Sequence, residues 1–138
     1  MTELPKKTIV ATFAITQWDE TVTHEPKAGE GGAKMARVVV RKTFSGPLEG
    51  TSVADVLTAR GEGGAGYLAS ELVDGTLEGR RGTFVLQHGG IDDGGKQRAF
   101  GCVVAGSGTG QLRGLRGDVV YAHDENGARI TLTYSLES

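Results

Sequence analysis

Two side chains stand out for the chemistry their settings allow. His88 closes a strand-like run from Gly82, in which Phe84 and Leu86 share its face. An imidazole at the mouth of a sheet is suited to general acid or base work, and equally to tying down a strand end through hydrogen bonds. Glu71 lies in another such run, with Tyr67, Ala69 and Val73 on its face. A carboxylate buried among apolar neighbours has its pKa raised. That would make Glu71 an acid, a base or a partner for His88. The competing reading is a structural ion pair with Lys42 or Arg98. Tyr67 and Gln87 are candidates to orient a ligand carbonyl or hydroxyl, Phe84 and Leu86 to wall it in. Trp18, the single tryptophan, is placed to line a mouth or cap a floor.

Other chemistries find little support. The single Cys102 has no internal disulfide partner and sits in an apolar strand pattern, which suggests a buried, inert thiol. His24, His88 and His123 lack metal-ligand spacing. The glycine run Gly106-Ser107-Gly108-Thr109-Gly110 lacks the spacing of a phosphate loop and is followed by no long helix. It also lacks the strand, elbow and helix of a hydrolase nucleophile. No cofactor is expected. With 15 basic and 17 acidic residues the chain has no electrostatic footprint for nucleic acid. No apolar run is long enough for a membrane helix, and no apolar leader precedes the first strand pattern, so the reading is a cytoplasmic protein.

The elements that must hold these residues read as all-β. Period-two alternation recurs near residues 8–19, 33–45, 51–60, 66–74, 82–88, 97–105, 118–123 and 128–137. In the last, Ile130, Leu132, Tyr134 and Leu136 alternate with polar residues. Asn126-Gly127 is a strong hairpin signal, and Asp92-Asp93-Gly94-Gly95 and Gly61-Glu62-Gly63-Gly64 are further turns. If the fourth and fifth strands form a hairpin, Glu71 and His88 come close together. Residues 1–7 read as a flexible N-terminus and 21–32 as a mobile loop. Eight strands with little left over suggest a single antiparallel β-barrel domain, lipocalin-like in outline, with a two-sheet sandwich as the alternative.

Glycine accounts for 23 of the 138 residues, about 17% where about 7% is usual. Much of it falls in a repeated G-x-L-x-G unit: Gly46–Gly50, Gly75–Gly79 and Gly110–Gly114. The unit reads as a tight corner whose leucine tucks back as a plug. These segments also carry a resemblance. Thr43–Ser52, Ala65–Glu71, Gly75–Gly90 and Ser107–Gly117 together resemble a bacterial family, domain of unknown function 3224, related to the allene-oxide-cyclase barrel. The resemblance covers roughly residues 8–136. It implies an eight-stranded antiparallel barrel with a cavity sized for a small molecule. The plant cyclases steer ring closure of a reactive fatty-acid epoxide, with a Glu and an Asn on an early strand. Ala14 and Thr16 stand near those positions here, and neither can replace the missing groups.

The leading expectation is therefore a barrel that binds a small hydrophobic molecule. As an enzyme it would be a cofactor-free cyclase or isomerase, with Glu71 and His88 steering a substrate held in one conformation. The rival is a non-catalytic carrier or an association module. Homo-oligomers are compatible with either, since Val38-Val39-Val40 offers apolar side chains to both faces.

Overall fold

The computed structural model describes residues 5–136. Its strands are β1 (Lys7–His24), β2 (Lys34–Ser45), β3 (Leu48–Gly61), β4 (Gly64–Leu77), β5 (Arg80–Asp92), β6 (Gln97–Val103), β7 (Arg116–Asp124) and β8 (Gly127–Ser135). A single 3-10 turn, Gly110–Leu112, is the helical segment among the described residues. Each strand pairs antiparallel with the next, and β8 returns to β1, so the sheet is ring-like. No described helix is long and apolar enough to cross a membrane.

Every strand forecast from alternation is present, with shifts at the ends. β1 runs on to His24, so the loop expected from residue 21 begins as strand. Thr21 and Val22, both β-branched, pair with Arg37 and Ala36 of a long partner. Of the expected flexible N-terminus, residues 1–4 lie outside the described residues, and Lys7 already belongs to β1. β5 continues past His88 to Asp92, which places His88 inside a strand and not at its end. Gly89-Gly90, just past the forecast strand end, serves close packing. A Cβ at Gly89 would sit 2.7 Å from the Phe100 ring and 2.8 Å from the Tyr67 carbonyl oxygen.

Inside the ring, alternation sorts the side chains into two ends. One end is filled: Phe44, Leu48, Leu77, Phe84, Leu86, Leu112, Leu115, Ile130 and Leu132 are all buried there. Leu48, Leu77 and Leu112 are the central leucines of the three G-x-L-x-G units, so each plugs this same end. The glycines around them form a row across three strands, Gly50 beside Gly75 and Gly75 beside Gly82. A Cβ at Gly75 would lie 2.2 Å from the Glu49 carbonyl oxygen, and one at Gly82 would lie 2.1 Å from that of Thr109. The strands coil tightly here because nothing projects between them.

The other end is lined by smaller side chains, Val38, Val40, Ala54, Val56 and Ala69, and stays open. Two irregularities shape it. A bulge in β1 between Ile15 and Gln17 shifts the pairing, so Ile15 lies opposite Lys42 and Trp18 opposite Val40. Both side chains thereby reach the open end. The second irregularity is the seam between β6 and β7, which are joined by one ladder pair, Cys102 with Asp118. Cys102 is half-buried on the outer face, its neighbour Val103 taking the inward position. The expected buried thiol is thus corrected by the parity of β6.

Candidate functional site

At the level where the packed end gives way to the open one, a carboxylate is enclosed. Glu71 on β4 is 0% exposed, and it is surrounded by Lys42 on β2 (7%), Ser52 on β3 and His88 on β5 (5%). Lys42 occupies the inward stripe of β2 between Val40 and Phe44, where alternation would place another hydrophobe. Lys42 Nζ donates to Glu71 Oε1 at 3.1 Å, His88 Nε2 at 2.8 Å and Tyr121 OH at 2.7 Å, while Ser52 Oγ donates to Oε2 at 2.6 Å. Both carboxylate oxygens are therefore satisfied, as a buried charge requires.

This environment reverses the expected direction of the Glu71 pKa. Burial is the largest single influence and acts to raise it. The hydrogen bond from His88, the charge of Lys42 and the hydroxyls of Ser52 and Tyr121 together outweigh burial and hold the carboxyl at about 2. Glu71 is an anion at neutral pH. Burial, and then the charge on Glu71, pushes the Tyr121 phenol far above its usual range and raises that of Tyr67.

From Glu71 the hydrogen bonds lead outward. Because Glu71 is ionised, it can only accept, so Nε2 of His88 carries the proton between them. In the neutral imidazole, Nδ1 is then an acceptor. It faces Tyr67 OH at 3.1 Å. The result is a hydroxyl–imidazole–carboxylate series, Tyr67–His88–Glu71, along β4 and β5. The pairing of Ala69 with His88 and of Glu71 with Leu86 sets its spacing. Aromatic rings hold it in place: His88 lies 4.6 Å from Tyr121 and 5.6 Å from Tyr67 between centroids, and Phe13 meets Tyr121 edge-on at 5.5 Å. Lys42 Nζ sits 4.4 Å from the Tyr121 ring centroid.

The open end above this network is a cavity of about 570 Å³. Phe13, Trp18, Val40, Ala54 and Val56 supply apolar wall, and Lys42, Tyr67, His88 and Tyr121 supply the polar floor. The proposed site residues separate on this geometry. Tyr67, His88 and Trp18 line the cavity, Trp18 at its rim with 56% exposure. Glu71 lies beneath it, joined to His88 as one of the sequence readings had it. The structural alternative holds as well, since Lys42 is its ion partner. Arg98 is instead at the cavity mouth. Phe84 and Leu86, expected as ligand walls, belong to the filled end and are 0% exposed. They share the His88 face but sit lower on it. Gln87 faces outward, as strand parity demands once His88 faces in, and bonds to Ser70 on the outer surface. Ala14 also points outward.

Sequence reasoning missed Ser52 and Tyr121, and it read Lys42 only as an ion partner. The inward stripes of β2 and β3 carry a signal, since Lys42 falls between Val40 and Phe44 and Ser52 between Gly50 and Ala54. Among the described residues, no three His, Cys, Asp or Glu side chains gather as a metal site would require.

Comparison with known proteins agrees with the fold. A crystal structure of a protein of unknown function from the DUF3224 family of Shewanella oneidensis MR-1 is similar, with a TM-score of 0.81 and 34% identity. The match covers 97% of this chain and 99% of that one. No curated protein matches. The model of a family described as proteins of unknown function, DUF3224, matches residues 9–136, and the chain belongs to that family.

Proposed function

We propose that the protein binds a small, mainly apolar molecule in the open end of the ring and isomerises or cyclises it without a cofactor. The observation that carries this reading is the Tyr67–His88–Glu71 series set in the floor of an apolar cavity. In this reading the sheet works as a barrel of the allene-oxide-cyclase-like kind. Its polar groups differ from the early-strand pair of the plant enzymes.

The roles follow from access. Glu71 is sealed from the cavity, so it is a positioning residue that fixes the imidazole tautomer and stabilises an imidazolium, as the carboxylate of a hydrolytic triad does. Tyr67 touches the ligand. As its oxygen takes a proton from an acidic C–H of the ligand, its own proton passes to His88 Nδ1. The electron pair released on carbon moves onto an adjacent carbonyl oxygen. Lys42 has N–H groups with no hydrogen-bond partner among the described residues, and it faces that oxyanion in a site of low dielectric. Return of the proton to a different atom completes an isomerisation with no net gain or loss of atoms.

The test uses two probes. N-phenyl-1-naphthylamine, apolar and fluorescent in dry sites, should bind the wild type, and Ala54→Trp should abolish binding by filling the cavity. Absence of binding, or indifference to Ala54→Trp, overturns the cavity reading. Exchange of the α-hydrogens of a small cyclic ketone in D2O, followed by NMR, should exceed the buffer rate and be lost in Tyr67→Phe. Probe binding without exchange overturns the catalytic half and leaves a carrier.

A further inference from the structure

The hydroxyl hydrogens around the cavity floor are all turned toward Glu71, directly or through His88. The carboxylate is an anion that only accepts, and it draws the Lys42, Ser52, His88 and Tyr121 donors toward it. The one hydrogen of the Tyr121 phenol is spent on Glu71 Oε1. The neutral His88 ring spends its own there from Nε2, so Nδ1 takes the hydrogen of Tyr67 at 3.1 Å. Tyr67 lines the cavity, and its hydroxyl has no other partner among the described residues. What that oxygen offers a ligand is therefore lone pairs and no hydrogen. Lys42 also borders the cavity and offers the opposite. An ammonium has three hydrogens and no lone pair, and one of the three is committed to Glu71.

Donation makes the Tyr67 oxygen a better acceptor. The series ends on a buried carboxylate, and each bond polarises the next in a site of low dielectric. A ligand head that holds only acceptors would cover this oxygen and leave it unpaired, at the cost of an unmade hydrogen bond. We infer that the natural ligand carries a hydroxyl or N–H in its buried head, donated to Tyr67, together with an oxygen that accepts from Lys42. This rests on the cavity reading above and adds the functional groups of the ligand. Within the carbonyl class named there, it selects a hydroxy-carbonyl compound or its enol over a plain ketone, ether or ester. Tyr67 is then the residue that sets specificity, and Glu71 acts on the choice from beneath by fixing which way the hydrogens lie.

A matched pair of probes tests the inference. 1-Naphthol and 1-methoxynaphthalene share one apolar body, and only the naphthol can donate. The methoxy group is also larger and less polar, so the quantity to read is the ratio of the two dissociation constants and its change on mutation. In Tyr67→Phe/His88→Leu both lone-pair sites of the series are gone. Relative to that double variant, the wild type should favour the naphthol by about threefold to tenfold, the worth of one hydrogen bond. Affinity for the ether should be similar in the two proteins. An unchanged ratio overturns the inference and leaves the cavity reading intact. Failure of both probes to bind the wild type overturns the two together. If the double variant binds neither probe, a crystal structure of the wild type with 1-naphthol decides. The naphthol oxygen within hydrogen-bond distance of the Tyr67 oxygen upholds the inference, and any other placement overturns it.

Discussion

The two ends of the ring are built from the same strands and differ in what their inward positions carry. Toward the closed end, β4 and β5 present Val73, Leu77, Phe84 and Leu86, all buried in one cluster that also holds Leu112 and Leu115. Toward the open end, the same two strands present Ala69, Tyr67, His88 and Gly90. The closed end is packed as a protein interior is, and its residues are fixed by volume. The open end has small walls and larger polar side chains that meet through hydrogen bonds and ring contacts. Stability should therefore be concentrated at one end and ligand chemistry at the other, with Glu71 as the joint between them.

The largest expected effect comes from the closed end. Phe84→Ala should lower unfolding free energy by about 3–5 kcal/mol, read by urea denaturation, whereas Trp18→Ala at the rim should cost less than about 1 kcal/mol. Similar costs for the two would erase the distinction between ends.

The joint comes next. Glu71→Ala strands a buried lysine, and removal of one member of such a pair typically costs about 3–5 kcal/mol. Replacing both, as Glu71→Leu/Lys42→Met, should recover most of that loss, because a hydrophobic pair needs no charge balance. If the double variant is no more stable than the single one, the network contributes to the fold beyond its charges.

Acid sensitivity follows from the same carboxylate. In the folded chain its pKa is about 2 against an ordinary 4.5, so the unfolded chain takes up the proton first. The contribution is complete above 4.5 and is lost as pH falls from there toward 2. Glu71→Gln should flatten this part of the stability profile. A profile as steep as that of the wild type would assign acid unfolding to other carboxylates.

The smallest effect belongs to the open end. Tyr67→Phe should shift stability by less than about 1 kcal/mol, since the phenol is only partly buried and makes one bond. It should nevertheless move the His88 Nδ1 resonance in ¹⁵N NMR. An unmoved resonance would remove Tyr67 from the series.

Much of this division was legible in the residues. Alternation located all the strands, and the G-x-L-x-G leucines announced plugs. The hairpin through Gly75–Gly79 brought Glu71 to His88. Parity alone, however, gives a face and not a level along it, so Phe84 and Leu86 were grouped with His88 although they lie in the filled end. Tyr121 reaches Glu71 from a strand 50 residues away, a contact that exists only once the ring closes. The bulge that turns Trp18 toward the cavity rim leaves no mark in composition, because an inserted residue looks like any other until its partner strand is known. The pKa of Glu71 was misread for a related reason: burial and the single partners His88 and Lys42 were foreseen, but not that Ser52 and Tyr121 would join them on one carboxylate.

The single ladder pair between β6 and β7 bears on where the ring can open. Above Cys102 and Asp118 the two strands run without further pairing, and Ala99 on one and His123 on the other both border the cavity. With one ladder pair among the described residues against many at β3–β4 and β4–β5, this seam is where the wall of the open end parts at least cost in main-chain hydrogen bonds. Parting there would widen the entrance and leave the packed end undisturbed.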